Sequence, residues 1–197
     1  MFYLLATVLV LFVVAFVLFL VFLTKMDLKT FKKFCEKKVR RFAKRNKILA
    51  IEDLNILNYQ REKVDIDHVI FGKKYIYVLT DFLVKGFVKG EINDNSWVHY
   101  NTTLKKYRYI NNLNKFSEQN IQEFAGIFGI NPDLIFSICV VPNECDFSIK
   151  SSENDKKTVV HYSSLTKRIK ELESQNIDSL NQEQIYEQYK AIKERNE

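Results

Sequence analysis

The residues best placed for chemistry lie in the segment DIDHVIFGKKYIYVLTDFLVKG, residues 65–86. Asp65 and Asp67 stand two positions apart in a strand-like run, so their side chains share one face and could hold a cation together. In a regular strand His68 points to the opposite face, where we expect a hydrogen-bonded core histidine. We favour the simpler interpretation that Asp65 is solvated at the start of the strand and that Asp67 is structural.

Two strands joined by a turn must position these residues. The runs VDIDHVIF and YIYVLTDFLV are rich in β-branched and aromatic residues, and GKK between them is a turn. Both runs carry apolar residues on both faces, which is typical of central strands covered from two sides.

The remaining patterns predict an α/β (α+β) fold, with a mixed central sheet flanked by helices. We expect strands in IEDLNIL, GFVKGEI, LIFSICVVP and TVVHY, and SWVHYN is predicted to continue the same sheet. The segment ECDFSIKSSENDKK is predicted to be a polar loop. Helical periodicity marks NKFSEQNIQEFAGIFG, SSLTKRIKELESQ and NQEQIYEQYKAIKERNE.

The segment IDHVIFGKKYIYVLTDFLVKG, followed by Trp97, resembles the nuclease-related domain (NERD) family of the PD-(D/E)XK nuclease superfamily. The family pattern is roughly IDHVVV-x-x-x-G-I-F-V-I-E-x-K-x-x-x-G with a later Trp. NLNKFSEQNIQEFAGIFGINPDLIFSICVV is similar to the family's downstream NP-x-x-Q-N helix and strand, and CEKKVRRF is similar to its preceding helix. The resemblance covers roughly residues 35–175 and implies a restriction-endonuclease-like fold.

The resemblance also implies a catalytic site, and this chain departs from it. In the family an Asp on one strand and a Glu on the next hold a divalent metal, and a Lys two residues later orients the water. Asp67 matches the Asp, but Thr80 stands at the Glu position and Phe82 at the Lys position. A threonine hydroxyl is a poor Mg²⁺ ligand, and phenylalanine carries no charge. Glu36 and Gln119 match further family positions, although a solvated glutamate and helix capping explain them equally well.

Asp81 is the carboxylate nearest to the lost pair. One position along a regular strand reverses the face, so only a β-bulge would bring Asp81 round to Asp67. A divergent Mg²⁺-dependent nuclease that uses Asp67 with Asp65 or Asp81 is therefore the alternative to an inactive domain. We expect no cofactor unless that alternative holds, in which case it is Mg²⁺.

A strongly basic segment precedes the sheet. Lys25 to Lys47 contains 11 basic and 2 acidic residues, whereas the rest of the chain contains 19 basic and 22 acidic residues. Apolar residues at helical spacing predict an amphipathic helix over residues 25–49 with a basic outer face. Such a face attracts anionic lipid headgroups, at about 1 kcal/mol per basic residue near the surface, and the same charges would attract DNA or RNA. We favour membrane contact, because the helix begins within a few residues of the predicted anchor. The candidate binding residues are Lys32, Lys33, Lys37, Lys38, Arg40, Arg41, Lys44 and Arg45.

An apolar run, residues 2–23, predicts a single transmembrane anchor within residues 1–24. At about 1.5 Å per residue the run spans roughly 33 Å, enough to cross the hydrocarbon core. A cleaved signal peptide is the alternative, but no basic region precedes the run. The basic flank places the N-terminus outside the cell membrane and the rest in the cytoplasm. Cys35, Cys139 and Cys145 show no C-x-x-C spacing and are expected to be buried thiols.

These patterns predict a membrane-anchored protein whose residues 50–197 form a NERD-like cytoplasmic domain. The missing catalytic pair favours an inactive binding or scaffolding module, with nucleic acid as a candidate ligand. A membrane-associated protein-interaction module without a nucleic-acid role is a further alternative, in which the basic helix contacts only anionic lipid.

Overall fold

The computed structural model describes residues 27–152 and 155–196, together with residues 12 and 14. The predicted transmembrane anchor, apart from those two positions, lies outside the described residues. Within the described ranges, no helix combines the length and the hydropathy needed to cross a bilayer.

Helix α1 (Leu28–Asn46) carries the predicted basic face. It begins after Asp27, whose side chain accepts a hydrogen bond of 2.7 Å from the Thr30 amide, and it ends at Lys47 in the left-handed conformation. The helix is shorter than predicted, because Leu49 already belongs to the first strand. Its buried stripe consists of Phe31, Cys35, Val39, Phe42 and Ala43.

Nine strands and three further helices follow α1 in the described part of the chain. The strands are β1 (Leu49–Leu57), β2 (Lys63–Phe71), β3 (Ile76–Asp81), β4 (Gly86–Glu91), β5 (Ser96–Asn101), β6 (Lys106–Asn111), β7 (Ile135–Val141), β8 (Cys145–Lys150) and β9 (Lys157–His161). The helices are α2 (Leu113–Phe128), α3 (Leu165–Glu173) and α4 (Gln182–Asn196). Short 3-10 turns at Pro132–Leu134 and Tyr162–Ser164 precede β7 and α3.

The strands form two mixed sheets, and the predicted mixed α/β (α+β) class is confirmed at that level. The first sheet has the order β1-β2-β3-β7-β9, in which β1, β2 and β3 are antiparallel neighbours and β3, β7 and β9 are parallel. The second has the order β6-β5-β4-β8, with only the β4–β8 pair parallel. The expectation of a single sheet is wrong for β4 and β5.

Helices cover both faces of the first sheet. α2 and α4 pack on one face through residues such as Phe124, Ile185 and Ile192. α1 and α3 pack on the other through residues such as Phe31 and Leu165. Every residue of β7 is buried, as expected for a central strand between two helical layers.

Two strands of the second sheet were not predicted from the sequence. The segment predicted as a polar loop contains β8, where Cys145 is buried and Asp146 next to it is exposed. β6 has no buried residue, so its sequence lacks the alternation by which a half-buried strand is usually recognised. Pairing with a neighbouring strand, rather than burial of its own side chains, defines β6.

Gly86 is the first residue of β4, where the chain enters the second sheet after β3 of the first, and it offers a test of this arrangement. Its φ of +106° disfavours any side chain, and a Cβ there would collide with the carbonyl oxygen of Tyr100. We expect Gly86→Ala to lower the free energy of unfolding by about 2–4 kcal/mol. Gly126→Ala is the control, since a Cβ at this helical position meets open space and should stabilise the protein by up to about 1 kcal/mol.

The measurement is denaturant unfolding of the full chain in detergent, followed by the fluorescence of Trp97, the only tryptophan. Equal stability of Gly86→Ala and the unmodified protein would contradict the geometry at the junction between the sheets.

Candidate functional site

A cleft of about 490 Å³ lies where α1 meets β1 and the edge of the β2–β3 hairpin. It brings together three lysines, four carboxylates and one histidine, so most of its charge is balanced internally. Asp67, Asp81 and Glu36, three of the predicted site residues, meet in this cleft. The lining consists of Leu28, Lys29, Lys32, Lys33, Glu36, Asp53, Asp67, His68 and Asp81.

A local break in the β1–β2 ladder shapes the cleft. Asp53 has a φ of +53°, and neither it nor Asp67 opposite takes part in the pairing that continues on both sides. Ile66 and Val69 contribute to the same core cluster although they are three positions apart, so the alternation of faces shifts between them. Asp67 and His68 therefore line one cleft, and the expectation that they point apart is wrong because the strand is not regular here.

Both carboxylate oxygens of Asp67 have protein partners. Lys32 of α1 forms an ion pair with Oδ1, and the backbone N–H of Asp81 donates a hydrogen bond of 2.8 Å to Oδ2. The pairing of β2 with β3 stops at His68, the residue after Asp67, so the Asp67 side chain accepts the hydrogen bond that a carbonyl of a paired strand would otherwise accept. Partial burial lowers the pKa of Lys32, but the carboxylates of Asp67, Asp81 and Asp53 outweigh that effect and raise it.

Asp81 is buried beneath Asp67 and is paired with His68. The distance between His68 Nε2 and Asp81 Oδ2 is 2.9 Å, and the side chains are 4% and 0% exposed. Within the described part of the chain, His68 Nδ1 and Asp81 Oδ1 have no hydrogen-bond partner. Burial raises the pKa of Asp81, and the nearby Asp67 carboxylate adds to this effect, whereas His68 opposes it. The predicted β-bulge at Asp81 is not found, since β3 stays in register with β7 through Asp81. The break at Asp53 and Asp67 brings the two residues into one cleft instead.

The other family positions do not reach the cleft. Phe82 packs against Trp97, with 6.5 Å between the ring centroids, in the core of the second sheet. Thr80 is half-buried and does not line the cleft. Asp65 is exposed on β2, and Gln119 is exposed on α2. The strand that carries the E-x-K positions thus directs both of them away from Asp67.

The lining residues do not fit a hydrated divalent ion as they are arranged. Mg²⁺ requires near-octahedral oxygen coordination, with several positions kept for water. Asp67 is engaged by Lys32 and by a backbone amide, and Asp81 is engaged by His68. Within the described ranges, no group of three or more His, Cys, Asp or Glu residues is arranged to hold a metal.

The cysteines are structural, as predicted. Cys35, Cys139 and Cys145 are free and buried. Burial raises the pKa of Cys145 to about 11, and burial together with the neighbouring Asp81 also raises the pKa of the other two thiols. A protonated, buried thiol is a poor nucleophile.

The predicted basic residues of α1 fall into two groups. Lys32, Arg40 and Lys38 have protein partners: Asp67 for Lys32, Glu36 and Glu52 for Arg40, and the carbonyls of Tyr162 and Ser163 for Lys38. Among the residues that the structure describes, no ion pair involves the remaining predicted cations, which are Lys33, Lys37, Arg41, Lys44 and Arg45.

Some of these free cations line a second concavity, of about 350 Å³, between α1 and α3. We call it the cationic groove. It is lined by Lys38, Arg41, Phe42, Arg45, Asn46, Tyr162, Thr166 and Lys170, with no carboxylate among them. Unlike the cleft, the groove leaves its positive charge uncompensated.

The sequence analysis missed two features of the structure, one without a sequence signal and one with such a signal. Nothing in the sequence distinguishes Asp53, whose backbone conformation creates the break beside Asp67. The segment KKYRYI, residues 105–110, does carry a signal, because tyrosines alternate with basic residues in it.

No protein-family model, no curated protein and no solved structure matches this chain. The resemblance to NERD domains therefore stays a prediction that depends on the residues quoted above.

Replacement of Asp81 by asparagine tests the charge state of the cleft. The pKa of Asp81 in the folded protein is raised above its ordinary value of 3.8. The protein is therefore most stable with respect to this group below pH 3.8, and that stability is lost as the pH rises through the raised pKa of the folded state. Asp81→Asn removes the buried charge and keeps an acceptor for His68. We expect no difference in Tm near pH 4 and a Tm higher by about 2–4 °C near pH 8.

Thermal unfolding of the two full-length proteins across this pH range measures the effect. A variant that is less stable than the unmodified protein by the same amount at every pH would show that the carboxylate is not strained by burial.

Proposed function

We propose that this chain is a membrane-anchored, NERD-like module that binds nucleic acid without hydrolysing it. The observation that carries the proposal is the internal neutralisation of Asp67 by Lys32 and the Asp81 amide. A carboxylate held in this way is a structural tie between α1 and the sheet. The predicted anchor would hold the domain on the cytoplasmic side of the cell membrane.

The architecture supports a restriction-endonuclease-like frame. A five-stranded mixed sheet lies between two helical layers, and α1 precedes the antiparallel strands. The β2–β3 hairpin carries Asp67 and the E-x-K positions, as the resemblance implies. Glu36 on α1 lies in the same cleft as Asp67, which is where a helix carboxylate of the family would be expected.

The residues at the E-x-K positions support the loss of hydrolysis. Thr80 offers no carboxylate, and Phe82 is part of a hydrophobic core instead of carrying an ammonium group. Lys32 supplies a cation close to Asp67, but its charge serves to balance that carboxylate.

The free cations support the retention of binding. Each Lys or Arg that neutralises a phosphate releases counterions, so affinity for nucleic acid depends steeply on salt. Arg41 and Arg45 lie one helical turn apart on α1 and both line the cationic groove. A guanidinium matches the geometry of a phosphate in a bidentate contact.

The first test is a cleavage assay with the full chain in detergent. We expect no cleavage of single-stranded or duplex DNA or RNA above background with Mg²⁺ or Mn²⁺, and no difference between the unmodified protein and Asp67→Ala. A metal-dependent cleavage that Asp67→Ala abolishes would establish the divergent nuclease that uses Asp67 with Asp81 or Asp65.

The second test concerns the cationic groove. We expect Arg41→Gln/Arg45→Gln to weaken the binding of duplex DNA by about tenfold near 50 mM salt. It should also reduce the slope of log K against log salt by about 1.8, which corresponds to two phosphate contacts. The control, Lys37→Gln/Lys44→Gln, removes the same charge from exposed positions outside the groove and should have a smaller effect.

Titrations in neutral and in anionic detergent micelles separate nucleic acid from lipid as the ligand. Equal losses in the two double variants would show that the groove contributes only diffuse charge. Binding of anionic micelles without any binding of DNA or RNA would favour the lipid-only alternative.

A further inference from the structure

The second sheet has one covered and one uncovered face. The covered face packs into a core that contains Val88, Trp97 and Cys145. Strand pairing places Phe87, Tyr100 and Tyr107 opposite one another in a row on the other face. We call these three residues, together with Tyr109, the aromatic face.

The aromatic face is unusually exposed. Tyr107 is 73% exposed and Tyr109 is 79% exposed, while Phe87 of the same face is 37% exposed. A cross-strand contact explains part of this arrangement, because the rings of Tyr100 and Tyr107 lie 4.7 Å apart. Such a contact stabilises the sheet, but it does not account for Tyr109, for which no ring contact is found among the described residues.

The spacing of the two exposed tyrosines suits a planar ligand. Tyr107 and Tyr109 are two positions apart on one strand, so their Cα atoms are separated by about 7 Å. Aromatic planes in contact are about 3.5 Å apart, so one planar base fits between two such rings. Tyrosine also keeps a polar hydroxyl at the edge of the stacking surface.

Cations border the aromatic face. Lys89 shares the face and Lys105 is exposed where β5 turns into β6, whereas Lys106, which pairs with Asn101, alternates to the other face. Among the described residues no ion pair involves these three lysines. Two carboxylates also lie on this face, Asp146 beside Phe87 and Glu91 two positions after Lys89, but both are on the β4–β8 side of the sheet and β5 separates them from the tyrosines of β6. The charge beside the tyrosines is therefore positive.

We propose that the aromatic face binds single-stranded DNA or RNA by stacking unpaired bases on Tyr107 and Tyr109, with Lys89 and Lys105 contacting the backbone. Exposed aromatic side chains on a sheet, bordered by basic residues, are a platform that accepts any base, since every base has a π-face. The inference rests on the proposed function and specifies both the form of nucleic acid and a surface distinct from the cationic groove.

The test measures binding of a fluorescent oligothymidylate and an oligouridylate of about 20 nucleotides to the full chain in neutral detergent. Tyr107→Leu/Tyr109→Leu keeps apolar bulk but removes the aromatic rings. We expect it to weaken binding by at least about tenfold, with little change in affinity for duplex DNA. Tyr107→Phe/Tyr109→Phe retains the rings and should bind within about twofold of the unmodified protein.

Tyr59→Leu is the matched control, because Tyr59 is also 79% exposed but lies in the turn between β1 and β2. It should leave oligonucleotide binding unchanged. Far-ultraviolet circular dichroism and the emission of Trp97 verify that each variant is folded.

The outcomes separate this inference from the proposed function. If the tyrosine variants bind oligonucleotides normally while Arg41→Gln/Arg45→Gln does not, the aromatic face is overturned and nucleic-acid binding stands. If the unmodified protein binds neither single strands nor duplexes, both fail. Loss of binding in the leucine and phenylalanine variants alike would show that the hydroxyls, and not stacking, matter, which also overturns the inference.

Discussion

The ion pair between Lys32 and Asp67 ties α1 to the first sheet at the place where that sheet is irregular. The break at Asp53 takes Asp67 out of the strand ladder and turns its carboxylate toward the helix. A partly buried carboxylate requires compensation, and Lys32 and the Asp81 amide provide it. Beneath them, Asp81 depends on His68. The cleft is therefore held together by charge in addition to the apolar stripe of α1.

That compensation also explains how the chain distributes its charge. Inside the cleft, four carboxylates outnumber three lysines and Lys32 is paired with Asp67, which leaves little positive potential for a substrate phosphate. Among the described residues, Arg41 and Arg45, farther along α1, form no ion pair, so the groove that they line keeps a positive potential. Arg40 differs from these two arginines, because Glu36 and Glu52 neutralise its charge. A site for hydrolysis and a binding surface need different local charge, and the cations of α1 fit the proposed binding surface.

The sequence predicted those elements whose burial follows a simple period. The apolar stripe predicted α1 because one face of that helix is buried, and the continuous apolar run predicted β7 because both faces of that strand are covered. β6 was not predicted, because none of its side chains is buried. The approach of Asp81 to Asp67 was predicted only as an alternative that needs a β-bulge, because the positive φ at Asp53 on which it depends leaves no mark in the periodicity. Asp67 and Glu36 were identified through the resemblance, but their partners required the fold.

Two surfaces with different chemistry follow from this architecture. Cations on α1 can neutralise phosphates, which positions a nucleic acid without reading it, whereas rings on the second sheet can engage bases only when these are unpaired. The phosphates of a duplex can contact the cations of α1, but its paired bases cannot stack on the rings of the second sheet. A single strand satisfies both, so a protein with the two surfaces gains affinity for single strands beyond what charge alone provides. Selectivity of this kind would need no metal and no catalytic lysine, which makes it compatible with the proposed NERD-like module, in which Lys32 holds Asp67.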